Sequence, residues 1–160
     1  MNKAIFLDRD GVINRERGTY TWKEEDFEFT PGLFESLVEW QNKGYKLIVI
    51  TNQGGVAKGL YSLQEVYEVH QYMSEALAEK GIELTDIYLS PYHQDYSLSL
   101  SRKPDSQMLE KAIAVHRINP EDSFMIGDSE RDVVAANKVG VKGILIEPNS
   151  DIRNLLPQIP

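Results

Sequence analysis

The chain contains no cysteine in its 160 residues, which excludes disulfides and thiolate metal sites. Positive charge is also scarce: 17 Lys and Arg stand against 25 Asp and Glu, a formal net charge of −8. That balance repels nucleic acid and anionic membrane surfaces, and no local basic patch offsets it. Long apolar runs are missing as well. The stretch before Asp8 offers only the four apolar residues Ala4 to Leu7, too short for a secretory signal core, and no run approaches a membrane span. We therefore expect no nucleic-acid partner, no membrane partner and a cytoplasmic address. No internal repeat or linker divides the chain, and its length and 41% hydrophobic content suit one domain over residues 1–160 with a full core.

What is present is a regular alternation. Ala4 to Leu7, Lys46 to Ile50, Thr85 to Leu89, Ser123 to Ile126 and Gly143 to Ile146 read as five short apolar strands. Between them, apolar residues recur at helical spacing. Leu33, Phe34, Leu37, Val38 and Trp40 run up to the stop signal Asn42-Lys43-Gly44. Ser62 and Glu65 have capping-box spacing ahead of Leu63, Val66, Val69, Met73, Ala76 and Leu77, the longest expected helix. Two more helices are expected, over Asp105 to His116 and Asp132 to Val139, with a Pro-containing tail after the last strand. Strands alternating with helices predict a three-layer α/β fold with a mainly parallel sheet. The segments 12–30 and 90–101 read as loops, neither of them long enough to form a separate cap domain.

In such a sheet, ligands sit beyond the carboxyl ends of the strands, and three of these ends carry polar clusters. The first strand ends in Asp8-Arg9-Asp10-Gly11. Residues two apart on an extended backbone share a side, so Asp8 and Asp10 face one ligand together, and like charges that close call for a cation or a proton. The second strand ends in Thr51-Asn52-Gln53-Gly54-Gly55, and the fourth in Gly127-Asp128, with Asp132 following. Arg102-Lys103-Pro104 precedes a helix, where unsatisfied backbone amides favour anions. Taken singly, Asp8 and Asp10 read as turn acids, Lys103 as a solvated lysine, and Asp128 and Asp132 as helix caps. Together they form a set suited to phosphoryl transfer.

In chain order, with Lys103 third and Gly127-Asp128 with Asp132 last, the clusters resemble the four motifs of the haloacid dehalogenase superfamily of phosphatases, a similarity that spans nearly the whole chain. Within it, the stretch Phe6 to Asn14, the stretch Thr51 to Gly59 and Arg102-Lys103-Pro104 resemble the histidinol-phosphate and D,D-heptose 1,7-bisphosphate phosphatase branch. The resemblance implies a Rossmann-like fold and a Mg²⁺-dependent phosphomonoesterase. It implies Asp8 as the nucleophile that forms an aspartyl-phosphate, and Asp10 as the acid that protonates the leaving oxygen and then the base that activates water. Mg²⁺ would be held by the Asp8 carboxylate, the Asp10 backbone carbonyl and the Asp128 carboxylate. Thr51 and Lys103 would bind the transferring phosphoryl group, Asn52 would orient Asp10, and Asp132 would support the metal. Arg102, planar and able to bind phosphate in two places, is the candidate for a second anionic or sugar contact. The implied partner is a small phosphorylated metabolite, foremost a heptose bisphosphate, turned over by a monomer. Histidinol phosphate is the alternative substrate. A phospho-accepting receiver-like signalling module is the alternative from another class, although a built-in acid/base residue at Asp10 favours turnover over a lasting signal.

Two departures from the branch stand out. Many of its members bind structural zinc in the loop before the Arg-Lys-Pro motif through three cysteines and a histidine. Here the matching positions are Ser90, Tyr92, Ser99 and Ser101. Hydroxyls are poor zinc ligands beside thiolate and imidazole, so no structural zinc is expected, and the loop must be held by packing, with Tyr92 and Tyr96 as the candidates. Second, Ser129 stands where the family often has lysine. His70 and His116, on expected helices, read as surface or packing residues, and His93 as either a loop residue or a substrate contact.

Overall fold

The structure is a computed structural model that describes residues 1–160. Five strands, β1 (Lys3–Leu7), β2 (Tyr45–Asn52), β3 (Asp86–Ser90), β4 (Phe124–Gly127) and β5 (Lys142–Leu145), form one sheet in the order β3-β2-β1-β4-β5. Every pairing is parallel. Between them run α1 (Leu33–Asn42), α2 (Leu63–Glu79), α3 (Gln107–His116) and α4 (Glu130–Lys138). No helix is long and apolar enough to cross a membrane.

The period of two along the central strands divides the core into two layers. Ile5 and Leu7 of β1 and Leu47 and Val49 of β2 pack with Leu37 and Trp40 of α1 and Val69, Met73 and Leu77 of α2. Their neighbours Ala4, Phe6, Ile48 and Ile50 face the other way, against Met108, Leu109 and Ala112 of α3 and Ala135 and Ala136 of α4. A strand covered on both faces reads as a continuous apolar run rather than an alternating one, which is why these stretches stand out in the sequence.

Two differences from the sequence reading lie outside the sheet. The tail is not plain coil: Ile152–Gln158 winds as a 3-10 helix whose Ile152 and Leu155, with Ile159, are buried in the same layer as α1 and α2. Tyr92 and Tyr96 do not hold the loop after β3, because they are 48% and 65% exposed. That loop is held by polar groups instead. Ser101 Oγ lies 2.9 Å from Ser90 Oγ and 2.8 Å from Ser99 Oγ, and Arg102 donates to the Tyr92 carbonyl and Gln94 Oε1. Short hydroxyls meeting at one point can each donate and accept, so three serines close a network that aromatic rings at the surface cannot.

Register sets the site. Leu7 pairs with Val49 on one side and with Ile126 on the other, so β1 and β4 end together, while β2 runs on beside β3 through Thr51 and Asn52. Asp8, Thr51 with Asn52, and Asp128 thereby gather at one edge of the sheet.

Candidate active site

A cleft of about 780 Å³ opens over these three strand ends, lined by Asp8, Asp10, Asn52, Arg102, Lys103, Asp128 and Asp132, with loop residues such as Tyr20, Trp22, Lys58, His93 and Arg131 around them. Seven sequence candidates line this one cleft, and the contacts of its acids divide them into two groups.

The first group centres on Lys103, which is buried. Its ammonium donates to Asp8 Oδ1 at 3.0 Å, to Asp132 Oδ1 at 2.6 Å and to the Ile50 carbonyl at 2.7 Å. All three protons are thereby used. Burial alone would push Lys103 down, and the Asp8 and Asp132 carboxylates reverse this and hold it above its ordinary value. Asp8, Asp128 and Asp132 present carboxylate oxygens within 4.8 Å of one another. Burial pushes Asp8 well above the usual carboxylate range, and Asp132 and Asp128 add to it against Lys103. Asp128 is raised too, by burial and by Asp132 and Glu16. Three carboxylates around one lysine leave an excess of negative charge that a divalent cation with oxygen ligands would neutralise. The donor set fits such an ion. Gly11 keeps the space open: its φ is +90°, and a Cβ there would run into the Asp128 carboxylate.

The second group centres on Asp10. Its carboxylate accepts from Arg9 Nη2 at 2.9 Å and Asn14 Nδ2 at 3.0 Å on one oxygen, and from Gln53 Nε2 at 3.1 Å on the other. Burial would raise Asp10, but Arg9, Asn14 and Gln53 outweigh it and hold the group below its ordinary value. Arg9 is fully buried, and it also donates to the Thr21 carbonyl at 2.6 Å and lies 3.2 Å from His70 Nε2. His70 is pushed down to about 3 by burial and by Arg9. A neutral imidazole is therefore the acceptor for Arg9, and His70 is part of the site's support rather than a surface residue.

Several expected positions move. Asn52 does not touch Asp10: its amide donates to the Lys103 carbonyl and its oxygen accepts the Lys103 N–H, both at 3.0 Å. A carboxamide matches a peptide group donor to acceptor, so Asn52 fixes the backbone that carries Lys103, and Gln53 takes the contact with Asp10. Asp132 is shared between Lys103 and the start of α4, where Oδ2 accepts the Ser129 N–H at 3.1 Å. Both its oxygens are engaged, so it acts on the metal pocket through Lys103 and through charge. Thr51 is fully buried, its hydroxyl accepting from Gln53 Nε2 at 2.9 Å. The proton it gives to the Asn52 carbonyl spans 3.4 Å, a long bond that leaves it free to turn. Arg102 lines the cleft beside Lys58 and Arg131; none of the three forms an ion pair, and Arg102 donates only to the neutral Gln94 Oε1 and Tyr92 carbonyl. His93, 8% exposed, borders them and is pushed down by burial, Lys58 and Arg102.

Arg9, Asn14, Gln53 and His70 carry no individual role in the sequence reading. A signal for one was present: His70 shares the buried face of α2 with Val66, Val69, Met73 and Leu77, and a histidine on an apolar stripe needs a partner.

Comparison with known proteins agrees with this geometry. The HAD-hydrolase-like family model matches residues 100–154, which hold Lys103, Asp128 and Asp132. The D-glycero-beta-D-manno-heptose-1,7-bisphosphate 7-phosphatase of Helicobacter pylori is 42% identical over 146 residues, 91% of this chain and 83% of that protein. The enzyme of the same name from Pasteurella multocida is 36% identical over 151 residues, 91% of this chain and 82% of its own. Among solved structures, the D,D-heptose 1,7-bisphosphate phosphatase of B. bronchiseptica, complexed with magnesium and phosphate, superposes with a TM-score of 0.86 at 28% identity, covering 99% of this chain and 88% of that one. With relatives 36–42% identical over about nine-tenths of its length and most of theirs, the chain belongs to the haloacid dehalogenase superfamily of phosphatases, in the branch that contains the D,D-heptose 1,7-bisphosphate phosphatases, and is a phosphoric monoester hydrolase.

Proposed function

We propose that residues 1–160 act as a single-domain, cytoplasmic, monomeric phosphatase that removes one phosphate from D-glycero-D-manno-heptose 1,7-bisphosphate through an aspartyl-phosphate on Asp8. The observation that carries this reading is the polarity of the cleft. One end holds Asp8 under Lys103 with Asp128 and Asp132 nearby, and the rim holds three cations, Lys58, Arg102 and Arg131, with no carboxylate partner. A substrate with two phosphates matches both ends, one phosphate reacting and the other held. The relatives named above act on such a substrate by name.

Asp8 attacks phosphorus; as it does so, Lys103 moves the hydrogen bond it gives Asp8 in the free site onto the phosphoryl oxygens, and the Thr51 hydroxyl turns toward them as charge builds. Asn52 keeps Lys103 in place, and Asp132 holds its ammonium. Asp10 stands as a carboxylate in the free site. It takes up a proton when the doubly charged phosphate enters beside it, gives that proton to the leaving oxygen, and as a carboxylate again takes one from the water that opens the aspartyl-phosphate. The Asp8 and Asp128 carboxylates and the Asp10 backbone carbonyl would hold Mg²⁺, which supplies positive charge where the phosphoryl oxygens gather. We read the loop after β3 as free of structural zinc, with the Ser90, Ser99 and Ser101 hydroxyls bonded to one another at the positions of the family's thiolates.

The test is turnover of the heptose bisphosphate, a heptose monophosphate and histidinol phosphate, each with Mg²⁺ and with a chelator. Preference for the bisphosphate, lost with the chelator, is the expected result. Preference for histidinol phosphate transfers the assignment to that substrate, and stable phosphorylation without turnover would favour the receiver-like module. Elemental analysis of protein purified without added metal accompanies it, and one tightly bound zinc per chain contradicts the reading of the serine loop.

A further inference from the structure

Behind Asp10 runs a second layer of contacts that reaches the wall of the cleft. Gln53 touches Asp10 Oδ2 with its Nε2 and Thr51 Oγ1 with the same nitrogen, at 3.1 and 2.9 Å. Its other end, Oε1, accepts the hydroxyl of Tyr61 at 2.7 Å. Tyr61 is buried, 5% exposed, just ahead of the Ser62 cap of α2. Its ring lies stacked on Trp22, with centroids 6.0 Å apart, and edge-on to Tyr20 at 5.7 Å. Trp22 and Tyr20 both line the cleft.

A carboxamide can face a carboxylate in two ways, with its NH₂ or with its oxygen. Only the first is attractive, and a flip would set an oxygen lone pair against Asp10. Tyr61 selects the first. Its hydroxyl donates to Oε1, and burial pushes its proton affinity up, which keeps the phenol protonated and able to donate toward Gln53. A donor on that side demands Oε1 and so directs Nε2 to Asp10 and Thr51. The approach is tight: a Cβ on Gly55 would collide with the Tyr61 ring.

We propose that Tyr61 is a positioning residue for Asp10, acting through the amide orientation of Gln53, and that it ties the aromatic wall of Tyr20 and Trp22 to proton delivery at the leaving oxygen. The inference rests on the reading of Asp10 as proton carrier. In the first half-reaction an Asp8 oxygen bonds to phosphorus, the bond from phosphorus to the leaving oxygen breaks with its electron pair going to that oxygen, and the Asp10 proton transfers to it. A sugar alkoxide is a poor leaving group and needs that proton. A nitrophenolate does not, so a fault confined to Asp10 shows on one substrate class and is nearly silent on the other.

The experiment compares kcat/KM, which reports the first irreversible step, for the heptose bisphosphate and for 4-nitrophenyl phosphate in the Mg²⁺-loaded wild type, Tyr61→Phe, Gly55→Ala and Asp10→Asn. Tyr61→Phe keeps the stacked ring and removes only the hydroxyl. It should lower kcat/KM on the sugar phosphate about tenfold, the value of one buried hydrogen bond to a polar network, and by less than about twofold on the nitrophenyl ester. Gly55→Ala, which displaces the ring, should show the same selectivity between substrates. Equal losses on both substrates, or no loss on the sugar phosphate, would overturn the proposal for Tyr61 if Asp10→Asn itself discriminates between them. If Asp10→Asn loses equally on both, the reading of Asp10 as the acid is what fails, and the proposal falls with it.

Discussion

Asp8 and Asp10 stand two residues apart at the end of one strand, yet their surroundings push them in opposite directions. Asp8 shares a single ammonium with Asp132 and sits against Asp128, so burial and its neighbours hold it well above the usual carboxylate range. Asp10 has three donors to itself, Arg9, Asn14 and Gln53, and is held below that range. Two like groups driven apart by environment take different roles. In the proposed mechanism, the undersaturated side takes a cation and a phosphoryl group, and the saturated side holds the proton carrier in fixed orientation.

The hardest break of this contrast is at Asp8. Asp8→Asn should cost on the order of 10⁴-fold or more in turnover on every substrate, because the bond-forming oxygen is gone. Its melting temperature without metal should not fall, since the change removes one of three crowded carboxylates. Retained turnover would move the nucleophile elsewhere. Asp10→Asn should cost about 10²- to 10⁴-fold in kcat/KM on the sugar phosphate and much less on 4-nitrophenyl phosphate. Asn52→Ala sharpens the boundary between the two sides. Because Asn52 holds the Lys103 backbone and not Asp10, it should lose about tenfold on both substrates alike. Discrimination between them would return Asn52 to the Asp10 side.

The smallest effect is on stability. Asp8 and Asp128 have folded-state values above their ordinary 3.8, so the folded protein binds more protons than the unfolded chain between 3.8 and those raised values. Stability without metal therefore falls as pH rises through that window. Asp10 works the other way: its lowered value contributes stability above 3.8 that is lost as pH falls toward its folded value. Mg²⁺ favours the ionised Asp8 and Asp128. Its stabilisation, read as the rise in melting temperature at saturating metal, should grow by a few degrees from mildly acid to neutral pH. A rise independent of pH would place the ion away from these two acids.

The sheet was legible because strands covered on both faces form apolar runs bounded by turn residues, and the motifs were legible because parallel strands deliver their ends to one edge of the sheet. Local chemistry was recovered where partners are near in sequence, as in the capping box of Ser62 and Glu65 at the start of α2. The supports of Asp10 were harder. Arg9 reads as a turn charge, and it is buried only because Thr21, His70 and Asp10 converge on it from 12, 61 and one positions away. Asn52 and Gln53 are chemically alike, and only the direction of each side chain decides which one meets Lys103 and which meets Asp10. The 3-10 helix at 152–158 escaped because its period matches neither the helix nor the strand pattern.

The central claim, that Asp8 attacks and Asp10 moves protons, is tested most directly by trapping. The Asp10→Asn protein is loaded with Mg²⁺, mixed with 4-nitrophenyl phosphate, quenched in acid and digested. That substrate leaves without a proton, while the water that should open the intermediate lacks its base. One phosphoryl group on the peptide ending at Arg9, at Asp8, is the predicted result. A burst of nitrophenol with no phosphorylated Asp8, or a phosphoryl group on another residue, would contradict it.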